Sequence, residues 1–229
     1  MAERPYTLLN CCLSLDGYLD DASPHRLVLS NDADLDRVDE LRAGCDAILV
    51  GAATIRNDNP RLQVRSGVRV RERVAAGQTP GPKKVTLTGL AKLDPGAPFF
   101  TNGSEEKLVY CCTETFGAAR ATLGPVATVV DAGTPVRVGA VAEDLHRRGV
   151  RRLLVEGGAS VLSQFLLEEV ADELQVAVAP FLVGDSTGRR FLDDGRYPWT
   201  THRRARLLET RTLGDVVLLR YGLSDRCDA

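Results

Sequence analysis

Long apolar runs, histidines and aromatic residues are all scarce in this 229-residue chain. No stretch approaches the roughly 20 apolar residues of a membrane span. The start, MAERPYTLLNCCLSLDG, lacks a basic segment followed by an apolar one, so a soluble, cytoplasmic protein is expected. Aromatics amount to 5% of residues, few for the stacking platforms that single-stranded nucleic acid needs. With 29 Lys+Arg against 31 Asp+Glu the formal charge is −2, so no general field draws nucleic acid or an anionic membrane; neither is expected as a partner. The three histidines, His25, His146 and His202, are far apart. The one G-x-S-x-G, Gly184 to Gly188, falls in a Gly- and Asp-rich loop rather than at a strand-to-helix elbow, and a P-loop and H-E-x-x-H are absent, which argues against triad chemistry and metal hydrolysis. His146, beside Arg147 and Arg148, fits a solvated helix face. The six cysteines fall as Cys11-Cys12, Cys111-Cys112, Cys45 and Cys227, a spacing unlike metal knuckles or a secreted disulfide framework. Reduced, mostly buried thiols and no metal site are expected.

What is present is a 44% hydrophobic chain, enough for one sizeable core, so one domain over residues 1–229 with a core about 6–222 is the expectation. Short β-rich runs alternate with amphipathic segments, the signature of an α/β layer architecture. Tyr6 to Leu13 reads as the first strand, followed by an Asp16-Gly17 turn and a polar loop to Ser30. Asn31 or Asp32 can cap a helix with Leu35, Val38 and Leu41 on its buried face and Gly44 ending it in the left-handed region. Asp46 to Val50 is an apolar central strand running into the small residues Gly51-Ala52-Ala53-Thr54. From Asn57 to Pro82, Arg, Gly and Pro without sustained periodicity predict a long surface loop. Strands follow at Lys84 to Leu87, Lys107 to Cys111 and Ala127 to Val130, with helices from Thr113 and over Val136 to Arg148. Arg152 to Val155 is a buried strand, Ala159 to Leu167 a helix with Val161, Leu162, Phe165 and Leu166 inward, and Glu173 to Ala179 a strand. Arg206 to Arg211 and Val216 to Tyr221 predict an antiparallel hairpin.

Two strand ends carry candidate chemistry. In the first, Glu156-Gly157-Gly158 opens a helix, and glycines there let an anion reach unpaired N–H groups where the helix dipole also favours negative charge. The fingerprint G-x-G-x-x-G is not met, and the same residues also suit a tight structural turn. In the second, Gly51 to Arg65 supplies a hydroxyl, a carboxylate, a proline turn and Arg61 or Arg65 to grip a phosphate. Asp58-Asn59-Pro60 is equally a turn initiator.

Taken together, Ser14-Leu15-Asp16-Gly17, Leu41-Arg42-Ala43, Gly51-Ala-Ala-Thr54 with Asp58-Asn-Pro60-Arg-Leu62-Gln-Val-Arg65, and Leu154-Val155-Glu156-Gly157-Gly158 with Asp172-Glu173-Leu174 and Ala179-Pro180-Phe181-Leu182-Val183-Gly184 resemble one family. It is the reductase domain of the bifunctional riboflavin biosynthesis deaminase/reductase, and the likeness spans Tyr6 to Tyr221. The resemblance implies an α/β, dihydrofolate-reductase-like fold: a mostly parallel central sheet flanked by helices, with an antiparallel C-terminal hairpin. It further implies a cytoplasmic homodimer that uses NADPH to convert the ribosyl group of 5-amino-6-(5-phosphoribosylamino)uracil to ribityl. Cys12, Thr54, Asp58, Gly157, Gly158, Ala159, Ser160 and Val161 would line the cofactor. Arg42, Leu62, Arg65 and Glu156 would contact the phosphorylated pyrimidine substrate, and Asp58, at the junction, would be the polar residue nearest hydride transfer. Alternatives keep the fold but reduce the 2,5-diamino-6-ribosylaminopyrimidinone phosphate or a pterin or dihydrofolate, or bind nucleotide without catalysis. H-x-E with P-C-x-x-C is absent, so no zinc-dependent deamination is expected of this sequence. Three positions depart from the family pattern: Tyr18 where many members have Lys, Asn59 where a second Asp is frequent, and Thr88-Gly89 for Asp-Ser. Thr86, Thr88 or Lys92 could take over the cofactor contact of that last pair.

Overall fold

A computed structural model describes residues 3–23 and 27–228; His25 lies outside the described residues. The chain runs β1 (Tyr6–Ser14), β2 (Tyr18–Asp20), α1 (Asp32–Ala43), β3 (Ala47–Gly51), α2 (Ala52–Asp58) and α3 (Gly67–Ala75). It continues through β4 (Lys83–Thr88), α4 (Pro98–Thr101), β5 (Lys107–Cys111), α5 (Thr113–Leu123), β6 (Thr128–Asp131) and α6 (Val138–Arg147). It closes with β7 (Arg152–Val155), α7 (Ala159–Leu167), β8 (Glu173–Ala179), β9 (Arg189–Arg190), β10 (Arg206–Leu213) and β11 (Val216–Gly222). These elements form two compact units, one of Asp39–Leu154 with the residues up to Pro5, the other of Tyr6–Val38 with everything from Val155 onward.

In the middle unit the strand order is β7-β3-β4-β5-β6, and β3, β4, β5 and β6 pair in parallel. Ala47, Ile48, Leu49, Val85, Leu108 and Val109 are all buried. They are apolar on both faces of the strands, as a parallel sheet covered by helices requires. Val138, Val141, Ala142 and Leu145 of α6 supply one covering stripe at helical spacing. In the second unit the order is β10-β11-β8-β1. There β1 and β8 pair in parallel, while β8–β11 and β10–β11 are antiparallel. The mostly parallel α/β sheet and antiparallel C-terminal hairpin expected from the sequence are therefore what the strands form. All six cysteines are free, three of them buried. Among the described residues no helix is long and apolar enough to cross a membrane, and no group of three or more His, Cys, Asp or Glu could hold a metal.

Three expectations need correction. The stretch from Asn57 to Pro82 is not an unbroken loop, because it contains α3. Ser66 caps that helix by accepting the Arg69 N–H at 3.4 Å. The residue α3 buries is Arg73, whose guanidinium donates to the carbonyls of Thr79, Ala43 and Cys45 at 2.6–3.0 Å. A helix anchored by an arginine, with Val68 and Val74 outside, carries no apolar period to read.

The second correction is the inward face of α1. Leu35, Val38 and Leu41 are only half-buried, while Asp34, Arg37 and Asp39 are buried. Arg37 satisfies its own burial by donating to Asp34 at 2.8 Å, Gln175 at 2.6 Å and Asn10 at 2.9 Å. The start of α1 is as expected: Asn31 Oδ1 accepts the Asp34 N–H at 2.9 Å, and Asn31 Nδ2 donates to the Leu213 carbonyl. Its end is the third correction. Gly44 does not enter the left-handed region; its N–H bonds to the Glu40 and Leu41 carbonyls and tightens the last turn.

Candidate functional site

The residues singled out from the sequence fall into two sets, one in each compact unit. Arg42, Thr54, Asp58, Leu62 and Arg65 belong to the middle unit. The buried strand β3 ends at Gly51, and α2 follows at once, so Thr54 and Asp58 are presented, half-buried, just beyond a strand's C-terminal end, where ligands of α/β proteins bind. The helix stops at Asn59, which takes φ 46° and ψ 52° and donates its N–H to the Ile55 carbonyl at 3.2 Å. Asparagine suits that left-handed cap better than most residues. Leu62, buried and at φ 49°, then turns the chain towards α1. Arg42 Nη1 donates to the Gln63 carbonyl at 3.3 Å. Arg65 carries an exposed side chain, but its backbone is fixed: the buried Asp39 carboxylate accepts the N–H groups of Arg65 at 2.5 Å and Ser66 at 3.1 Å. The same carboxylate meets the Arg69 guanidinium at 3.0 Å and Arg65 Nε at 3.7 Å. Burial alone would raise the Asp39 pKa; these N–H groups and the Arg69 charge outweigh it and hold the acid below the ordinary carboxylate range.

The second set is Cys12 and Glu156 to Val161. Cys12 lies on β1 opposite Ala177, half-buried, and its thiol is pushed up to about 11, chiefly by burial, so it stays protonated at neutral pH. Gly157 has φ 95°, which strains any residue with a Cβ, and the Gly157–Gly158 peptide is cis. Gly158 is the N-cap of α7 and its carbonyl accepts the Val161 and Leu162 N–H groups. No side chain caps this helix and no acid stands in its first turn. The first-turn N–H groups of Ala159 and Ser160 thus have no carbonyl one turn back to bond to, at the positive end of the helix dipole. Glu156 is half-buried at the end of β7.

The two flanking motifs of this unit meet in one corner. Ser14 Oγ donates to Asp16 at 2.6 Å, and Asp16 accepts the Val183 and Gly184 N–H groups at 3.1 and 2.7 Å. The Ser14 hydroxyl first, then those backbone donors, hold Asp16 down at about 2. Tyr18, where the family pattern has a lysine, is buried with the Arg190 guanidinium over its ring at 4.4 Å. Of the three residues offered for the missing Asp-Ser contact, Thr86 is fully buried and Thr88 accepts the Ala91 N–H at 3.0 Å, whereas Lys92 is exposed.

Asp39 and Arg69 are the residues that sequence reasoning missed. The available signal was position: Asp39 lies three residues before Arg42, one turn away on the same helix face. A cavity of about 300 Å³ beside α2 is lined by Ile55, Arg56, Asn59, Leu93 and Pro98, and none of the residues expected to contact cofactor or substrate lines it.

Comparison with known proteins gives concordant results. The model of the RibD C-terminal domain matches residues 5–219. The 2,5-diamino-6-ribosylamino-4(3H)-pyrimidinone 5′-phosphate reductase of Methanothermobacter thermautotrophicus is 34% identical over 221 residues, covering 95% of this chain and 98% of its own. A pyrimidine reductase-like protein of Corynebacterium diphtheriae superimposes with a TM-score of 0.80 at 24% identity, over 95% of this chain and 91% of that one. A dihydrofolate reductase of Enterococcus faecalis complexed with NADP(H) superimposes with a TM-score of 0.50 at 10% identity, over 97% and 98% of the two chains, which is a likeness of fold.

Proposed function

The chain belongs to the RibD C-terminal domain family, and from that premise we propose that it is a nicotinamide-dependent reductase, with NADPH as the cofactor, acting on a phosphorylated ribosylaminopyrimidine of riboflavin biosynthesis. The observation that carries this reading is the start of α7. An uncapped helix end without a first-turn acid, entered through Gly157 at φ 95°, suits a dinucleotide's phosphates. In this reading Gly157, Gly158, Ala159, Ser160 and Val161 hold the phosphates, and Cys12, Thr54 and Asp58 border the rest of the cofactor. When bound, the cofactor supplies the hydride that reduces C1 of the opened sugar. Arg42 and Arg65 grip the substrate's 5-phosphate, Leu62 packs against it, and Glu156 accepts from sugar hydroxyls. Asp58 is the polar side chain nearest the reacting carbon. The protein's contribution is orientation and electrostatics, delivered by a single reductase domain that works as a homodimer.

Two forms of the pyrimidine fit this reading, the deaminated uracil and the 2,5-diamino compound. The name of the Methanothermobacter relative, aligned over nearly its whole length, supports the diamino form. Steady-state NADPH oxidation with each compound, and with dihydrofolate, tests the assignment. Turnover of either ribosylaminopyrimidine phosphate well above that of dihydrofolate is expected; dihydrofolate as the better substrate refutes it. Binding of NADPH without its oxidation by any of the three would instead mark a nucleotide-binding module.

A further inference from the structure

The Asp39 carboxylate is 2% exposed, and a buried carboxylate persists only where donors replace its lost hydration. Its donors are divided between its two oxygens. One accepts the Arg65 N–H at 2.5 Å and faces Arg65 Nε at 3.7 Å; the other accepts the Ser66 N–H at 3.1 Å and Arg69 Nη1 at 3.0 Å. The acid therefore does two things at once. It fixes the backbone from which the Arg65 side chain projects, and it holds a second guanidinium beside the first, where the two would otherwise repel. Arg42, one helical turn further along α1, reaches the same segment through the Gln63 carbonyl.

Resting on the reading of Arg42 and Arg65 as phosphate ligands, we infer that Asp39 is a positioning residue for the phosphate subsite and that Arg69 is a further phosphate-binding residue of this chain. Arg69 suits the task because its guanidinium side chain keeps 20% of its surface exposed while one edge is anchored. Preorganisation of this kind acts on affinity for the phosphate and leaves the hydride step alone.

The test compares ribose 5-phosphate with ribose by titration calorimetry on the wild type, Asp39→Asn, Arg69→Gln and Arg69→Lys, and reads kcat and KM on the phosphorylated pyrimidine. The wild type should prefer the phosphorylated sugar, and Asp39→Asn and Arg69→Gln should each cut that preference about tenfold or more. Arg69→Lys should restore part of it. Substrate KM should rise correspondingly, with kcat and NADPH affinity within about threefold of wild type. A wild type that does not distinguish the two sugars removes the phosphate reading of Arg42 and Arg65 itself. A wild type that distinguishes them, with both variants unaltered or weakened equally towards both sugars, overturns the roles of Asp39 and Arg69 alone. Should Asp39→Asn fail to fold, the partly exposed Arg69→Gln decides the matter by the same criterion.

Discussion

Helices α1 and α7 are of similar length, 12 and 9 residues, yet they bury opposite chemistry. The inward residues of α7 are Ala159, Val161, Leu162, Phe165 and Leu166, with the single hydroxyl of Ser163 donated an N–H by Asp193. The buried residues of α1 are Asp34, Arg37 and Asp39, and its leucines and valine stay half-exposed. Apolar burial is tolerant of small displacements because dispersion and the hydrophobic effect have little direction. Buried ion pairs are directional and add little net stability, but they specify where their partners stand. The helix whose N-terminus is proposed to hold the cofactor's phosphates is thus held by packing, while the helix that carries Arg42 is held by polar contacts that also set the Gln63–Ser66 segment.

That contrast can be broken at three points, in descending order of effect. Phe165→Ala should cost about 4 kcal/mol in urea unfolding, because a fully buried ring leaves a cavity in the packed face of α7. Arg37→Ala should cost about 3 kcal/mol, since Asp34, Gln175 and Asn10 would all lose their buried donor. The double variant Asp34→Leu/Arg37→Met should regain at least half of that loss, whereas no second substitution in α7 is expected to rescue Phe165→Ala. If the double variant is no better than the single one, the polar face of α1 is contributing stability rather than placement. The smallest effect is on pH dependence. Asp39 has a depressed pKa in the fold, so its contribution is complete above the ordinary carboxylate pKa of about 4 and is lost as pH falls through the folded value. The urea midpoint of the wild type should therefore drop between pH 6 and pH 3 by more than that of Asp39→Asn.

The same contrast explains what could be read in advance. β3, α7 and the β10–β11 hairpin follow apolar periodicity, and the sequence placed them within a residue or two. α3 went unseen because the side chain it buries is Arg73, and the inward face of α1 was misjudged because Leu35, Val38 and Leu41 share a helical face with the spacing of a core stripe. At the candidate site, motif likeness was enough to nominate Arg42, Asp58, Arg65 and the Glu156-Gly157-Gly158 corner. Asp39 and Arg69 escaped because their meaning lies in contacts across 26 to 30 residues of chain. No local pattern encodes a carboxylate that serves two distant backbone N–H groups and a guanidinium.

The interleaving of the two compact units has a consequence for synthesis on the ribosome. The middle unit is nearly contiguous in sequence, so it can close as soon as Leu154 has cleared the exit tunnel. β1 is made before the middle unit, but its parallel partner β8 begins only at Glu173. At about 5–20 residues per second, β1 waits some ten to thirty seconds for that partner, a window in which the edge that β8 will cover stays unpaired.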